Sequence, residues 1–401
     1  MKRLLIAMLV LLLMTASAVA QDDTEANPFT FGIILVGSQN DQGWSQAHVE
    51  GAQFAAERYG ATLLIHENYN AATAEEQSMA EIVEGFVDAG AELIILSSDE
   101  FQDEGQAVAL LHPDVSFLHI AGDGVLTNTA PDNVGNLMPQ MEWAKFLAGC
   151  SAILMSEDNH VGYLGPLINS ETRRLAASAY LGARHCAEEY KGIDPSEIEF
   201  VVEWVGFWFF IEGLTEDPAQ LTRGMYATGV DVVISGIDTP EAIQVAKELN
   251  ELGQEVYATA YNSRAACIDA GNVCIGTASF NWGPTYLDLI EQVDSDTWTR
   301  SWEWVQPSSL YGLQGIVGYF PGVALSQQER VDLESFRLEL NEYNNNSLLP
   351  GGLPLWQGPM ELQDGSLLAE NNELVNLIDI WYLPQLLAGM EGDSFPSDDN
   401  G

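Results

Sequence analysis

Two kinds of side chain with binding chemistry gather at the ends of predicted strands. Asp41, Asp99, Glu171, Asp238 and Asn262 supply carboxylates and an amide. Carboxylates accept hydrogen bonds and amides both donate and accept, a set suited to ring N–H groups and exocyclic amines. Trp44, Trp208 and Trp282, with Phe207, Phe209, Phe210 and Tyr261, occupy the same edge. Flat aromatic side chains stack on planar molecules, each base–aromatic pair being worth roughly 1–3 kcal/mol. Plainer roles compete. Asp238, before Thr239-Pro240-Glu241, fits a helix N-cap. Glu171, before Thr172-Arg173-Arg174, fits first-turn compensation of the helix dipole. The three phenylalanines fit ordinary packing. Convergence on one edge is what favours a binding site.

Catalytic signals are missing from the chain. The six histidines are scattered without an His-x-x-x-His pair, so the sequence offers no imidazole metal site. There is no Gly-x-Ser-x-Gly elbow and no phosphate loop ending in Lys-Ser or Lys-Thr. Paired carboxylates carry no information in so acidic a chain. The expectation is a binding protein and not an enzyme, with neither cofactor nor metal.

The elements that must position these side chains alternate. Strands are predicted at 31–36, 62–66, 93–97 and 116–121, separated by helices at 45–58, 73–89 and 103–111. A second alternation has strands at 161–164, 199–204, 231–235 and 256–260 and helices at 172–190, 218–228 and 239–252. Such spacing gives βαβ units and parallel sheets. The fold class is therefore α/β, with two doubly wound parallel-sheet lobes and a ligand cleft between them. Ligands of open α/β sheets bind outside the carboxyl ends of the strands, where these loops lie. Beyond Cys274 come a strand near 275–280, a helix near 285–293, a Trp-rich stretch and a helix near 326–343.

Lys2-Arg3, the apolar run Leu4–Met14 and Ala18-Val19-Ala20 form a signal peptide pattern, with cleavage expected near Ala20. The expected product is exported, periplasmic or extracellular, and soluble. Fourteen Lys and Arg against 59 Asp and Glu give a formal net charge of −45. That field repels nucleic acid and anionic membrane. It suits a solvated surface in high salt, where screening relieves self-repulsion, or an acidic environment. Four cysteines in an exported chain favour disulfides and permit three connectivities. Cys267 and Cys274 would close a short loop, leaving Cys150 with Cys186 as the preferred second bridge.

Several motifs recur in a known family. They are Asp41-Gln42-Gly43-Trp44-Ser45-Gln46-Ala47-His48-Val49-Glu50-Gly51, Asp132-Asn133-Val134-Gly135, Val161-Gly162-Tyr163-Leu164-Gly165, Gly236-Ile237-Asp238-Thr239-Pro240 and Phe280-Asn281-Trp282-Gly283-Pro284. From Phe31 to Tyr382 the chain resembles the basic membrane protein (BMP) family of substrate-binding proteins for ABC transporters, which have the type I periplasmic-binding fold. The resemblance implies lobe 1 at 30–133 with 276–298, and lobe 2 at 134–275 with 299–390, between a polar leader at 21–29 and a disordered acidic tail at 391–401. It implies capture of a purine base or nucleoside, adenine being one such base, for delivery to an ABC permease. The alternative is a ligand sensor on the same fold signalling to a membrane partner. Carried over by motif, Trp44 and Trp208 would stack on the ring from opposite lobes, and Ser98 or Asp99 would line the first wall. Glu171 matches the family's Pro-Glu-x-x-Arg position with Ser170 in place of Pro. Asp238 would bind a ring or amine proton, Asn262 would close the site, and Asp41 and Trp282 complete the expected set. The lysine that the nucleoside-binding branch places near the ribose has no equivalent here.

Overall fold

A computed structural model describes residues 28–70, 77–346 and 352–396. The expected signal peptide, the leader as far as residue 27 and the end of the tail, 397–401, lie outside the described residues. The first lobe alternates as the sequence predicts: β1 (Thr30–Ile34), α1 (Trp44–Tyr59), β2 (Thr62–His66), α2 (Met79–Asp88), β3 (Leu93–Leu96), α3 (Gln102–Ala109), β4 (Ser116–Ile120) and β5 (Val134–Pro139). Helix α2 starts at a Ser78–Glu81 capping box, later than the predicted residue 73. The chain then forms α4 (Glu142–Met155), β6 (His160–Gly165), α5 (Ser170–Cys186), β7 (Glu199–Trp204), α6 (Pro218–Ala227), β8 (Val232–Ser235), α7 (Glu241–Glu251), β9 (Tyr257–Tyr261), α8 (Arg264–Ala270) and β10 (Cys274–Phe280). After these come α9 (Gly283–Asp294), β11 (Trp302–Val305), β12 (Val317–Pro321), α10 (Gln327–Asn346), β13 (Met360–Glu361), β14 (Leu367–Ala369), α11 (Leu377–Trp381) and β15 (Met390–Glu391).

Two sheets result. The first has the order β11-β5-β4-β3-β1-β2 and the second β12-β10-β9-β8-β6-β7-β15. Pairing is parallel throughout except at β12, which runs antiparallel to β10. Within the first sheet β1, β3 and β5 are buried along their whole length. Helices must therefore cover both sides.

The crossovers fall elsewhere than expected. β5 pairs with β4 in the first sheet, so the chain leaves that lobe after Pro139 and not at 133. β10 pairs with β9 in the second sheet, so residues 276–280 belong to lobe 2, although α9 beyond them packs on α1 of lobe 1. β11 returns to the first sheet beside β5, which puts part of 299–390 in lobe 1. A strand's own residues state that it is buried but not which sheet it joins. The tail also differs: β15 pairs with β7, and Ser394 is buried with its hydroxyl accepting from Leu386 N.

Helix α4 was not expected. It is buried on nearly every face, from Glu142 to Leu154, and packs along α5. A helix apolar all round gives no 3.6-residue stripe to read. Cys150 of α4 is bonded to Cys186 of α5, and Cys267 to Cys274, the expected pairings. Among the described residues, no helix is long and apolar enough to cross a membrane.

Candidate functional site

Doubly wound sheets part their loops at the point where strand order reverses. Here that point lies between β1 and β3 in one lobe and between β6 and β8 in the other. The loops after these strands meet across the lobes and bound a slot with a cavity volume of about 20 Å³, room for little more than one water until the lobes part. It is lined by Val36, Trp44, Ser98, Asp99 and Ala121 from lobe 1 and by Glu171, Trp208, Asp238 and Tyr261 from lobe 2.

Both tryptophans are fixed by their own N–H groups. Trp44 Nε1 donates to Ser97 O at 2.7 Å, and Trp208 Nε1 donates to Asp99 Oδ1 at 3.2 Å. Trp44 is further held edge-on by His48, Phe280 and Trp282, with ring centroids 4.4, 5.3 and 5.7 Å away. The lobes touch at several points. Asn169 Nδ2 also donates to Asp99, at 3.2 Å. Gly43, at the start of α1, lies so close to Asp238 that a Cβ there would stand 1.5 Å from the Asp238 carbonyl oxygen. The glycine thus leaves room for the backbone of the opposite lobe.

The slot is acidic. Asp238 is 3% exposed, and no hydrogen bond among the described residues occupies its carboxylate. Burial, reinforced by Asp41, Glu171 and Asp99, pushes its pKa well above the usual carboxylate range. Burial likewise raises Glu171 to about 7, opposed by Arg174, whose Nη2 is 3.9 Å away. Asp99 is raised by burial and partly relieved by its donors. Lys145 abuts the slot through Tyr261. Its amine sits 3.8 Å over the Tyr261 ring and donates to Ser235 O at 2.8 Å, behind the slot wall and not in it. Burial lowers it to about 7.

The raised carboxyls have a consequence for pH. Between the ordinary Glu value and about 7 the folded chain holds a proton at Glu171 that the unfolded chain has released. Stability therefore falls as pH rises through that interval and is level above it. Ordinary surface carboxylates have titrated by pH 6. Lys145, lowered to about 7, opposes this fall and Glu100, raised to about 7, adds to it, so the test is the difference between two chains: the change in melting temperature from pH 6 to pH 8 is expected to be less negative in Glu171→Gln than in wild type. An equally steep slope in the variant would acquit Glu171.

Of the expected set, Trp44, Ser98, Asp99, Glu171, Trp208 and Asp238 come together. Asp41 does not line the slot. Its carboxylate caps α1, accepting from Gly43, Ser45 and Gln46 N at 2.8, 2.8 and 3.0 Å. Asn262 and Trp282 line a separate depression together with Phe280, Gln46 and Arg264. Trp282 is 1% exposed and acts as a buttress for Trp44. The slot also takes Tyr261, which the strand-end rule points to, and Ala121, just past β4 with φ of 63°, whose methyl carries no chemical signal. Among the described residues no group of three or more His, Cys, Asp or Glu could hold a metal ion.

Comparison with known proteins fits this geometry. Residues 30–306 match the family described as Bmp, ABC transporter substrate-binding protein PnrA-like, a match ending short of Tyr382. A Haloferax volcanii protein named as an ABC transporter glucose-binding protein is 25% identical over 274 residues, 68% of this chain. The chain spans 62% of that relative's length, less than two thirds. A purine-binding protein of Brucella abortus is 26% identical over 343 residues, covering 84% of this chain and 85% of its own. Among solved structures, an ABC transporter solute-binding protein from Conexibacter woesei superposes with a TM-score of 0.60 at 20% identity, covering 80% of this chain and 97% of its own. That likeness shows the fold.

Proposed function

The chain belongs to the Bmp family of PnrA-like ABC transporter substrate-binding proteins, and from that premise we propose that it captures a purine base or nucleoside between its lobes and hands it to an ABC permease. The family is one of binding proteins and not of enzymes. The planar ring would stack between Trp44 and Trp208. Asp238, Glu171 and Asp99 would accept its N–H and amine protons. The observation that carries this reading is Asp238: a buried carboxylate that accepts no hydrogen bond among the described residues, in a slot that also holds the indoles of both lobes. Ligand contact with both walls favours the closed arrangement, the form a permease would receive. Export through the 1–20 leader belongs to the same proposal.

A second reading is a sugar, favoured by the name of the Haloferax relative. Free carboxylates accept from hydroxyls as readily as from ring N–H groups. A thermal-shift screen in high salt against purine bases, nucleosides, sugars and amino acids tests both. Ligand at a hundred times its Kd stabilises by about 2.7 kcal/mol. A rise with purines and not with glucose is expected; a rise with glucose alone would replace the purine by a sugar.

A further inference from the structure

The C-terminal segment ties the lobes together away from the slot. The chain itself passes between the two sheets three times, after β5, after β10 and after β11. A fourth link is made without a covalent crossing. Beyond the residues that match the family, the segment from α11 to β15 is rooted in lobe 2. Arg173 of α5 donates to Leu383 O and Ser394 O at 2.8 and 2.9 Å, Trp204 Nε1 donates to Asp393 O at 2.8 Å, and β15 extends the second sheet beside β7. Leu383, Leu386 and Leu387 are buried, so the root is apolar as well as hydrogen-bonded.

The tip of the segment reaches lobe 1. Tyr382 OH donates to Asp123 Oδ2 at 2.6 Å, and Asp123, just past β4, is held in turn by Gln102 Nε2 at 3.0 Å. The Trp381 ring meets Trp302 and Trp304 of β11 edge-on, with centroids 5.1 and 5.3 Å apart. Arg174 of α5 completes this cluster. Its guanidinium lies 4.4 Å from the Trp381 ring and 5.5 Å from that of Trp304, while Nε donates to Glu142 at 2.8 Å. Trp381 and Arg174 are both buried, so cation and rings meet out of water, where their attraction is strongest. These contacts depend on the angle between the lobes. A covalent crossover survives rotation of the lobes by turning its dihedrals. A hydrogen bond weakens steeply once its atoms move apart or out of line.

We infer that the C-terminal segment is a strap that holds lobe 1 against lobe 2 and so sets how readily the closed arrangement forms. Trp381 and Tyr382 are its positioning residues: neither has to touch a ligand, and both act through the angle between the lobes. The apparent affinity of the slot is scaled by the fraction of molecules able to close. Loosening the strap therefore weakens every slot ligand by one common factor and leaves their order unchanged. A residue that reads the ligand would change that order.

The inference stands whichever ligand the slot takes, and its test needs none. Spin labels on Asn40→Cys of lobe 1 and Gln244→Cys of lobe 2, both exposed, report the separation of the lobes and not the position of the segment. Distances are measured by pulsed electron resonance in the otherwise wild-type chain, in Tyr382→Phe and in Trp381→Ala. Tyr382→Phe removes one hydroxyl from a partly exposed ring and leaves the fold intact, so it decides alone if the bulkier loss at Trp381 prevents folding. Loss of the hydrogen bond is expected to lower the ratio of short to long separations by about two- to tenfold, and Trp381→Ala to lower it further. A shift in one variant alone keeps the strap and assigns it to that residue. Distributions unchanged in both variants, or moved towards shorter separations, overturn it. None of these outcomes bears on the purine reading, which the thermal-shift screen decides.

Discussion

Replacing Trp208 by alanine is expected to weaken ligand binding by ten- to a hundredfold while shifting the melting temperature little. The side chain is half-buried at the lobe surface, so its loss leaves no large core cavity. Two contributions disappear together. One is ring stacking, about 1–3 kcal/mol. The other is the hydrogen bond to Asp99, which helps bring that carboxylate of lobe 1 to a tryptophan of lobe 2. Trp208→Phe distinguishes them, since it keeps an aromatic face and removes only the N–H. Isothermal titration of wild type and both variants reads the result. Full affinity in Trp208→Ala would remove this tryptophan from the ligand site.

The second large effect is expected from a single methyl group at Gly43. A Cβ at this position would meet the Asp238 carbonyl oxygen at 1.5 Å. The lobes cannot both fold as they do and meet as they do. Each lobe should stay intact, because the collision lies between them, but the closed arrangement becomes inaccessible. Contacts from one wall alone then remain, and a loss of a hundredfold or more in affinity, about 2.7 kcal/mol, follows. Small-angle scattering should show Gly43→Ala remaining extended at ligand concentrations that compact wild type. Compaction and wild-type affinity in the variant would show that closure does not depend on this approach.

The alternation of strands and helices was legible because a strand buried on both faces is a short apolar run and its crossover helix has a polar side. β1, β3, β6 and β8 all appear where those runs fall. Their carboxyl ends pointed to Trp44, Asp99, Glu171 and Asp238, which the two switch points do bring together. Helix α4 stayed hidden for the opposite reason, since burial on every side erases its period. Asp41 looked like Asp238 in sequence, and only the three backbone N–H groups around its carboxylate reveal a cap. The membership of β5 and β10 depends on partners that no local pattern encodes. Tyr382 lies more than 250 residues from Asp123, a separation of 259, and nothing in either neighbourhood announces their meeting.

The two disulfides are unevenly shared. Both Cys150–Cys186 and Cys267–Cys274 tie elements that cover or form the second sheet, and the first sheet has no covalent tie among the described residues. Closing a 36-residue separation by a bond is worth about 4 kcal/mol to the unit that contains it. The halves of the protein are thus unequal in their resistance to unfolding. An empty copy is then expected to open its first half before its second. Cargo held by both halves couples their opening by mass action. Occupied molecules are then expected to outlast idle ones under proteolysis, the uneven placement of two bonds biasing the surviving population towards molecules in use.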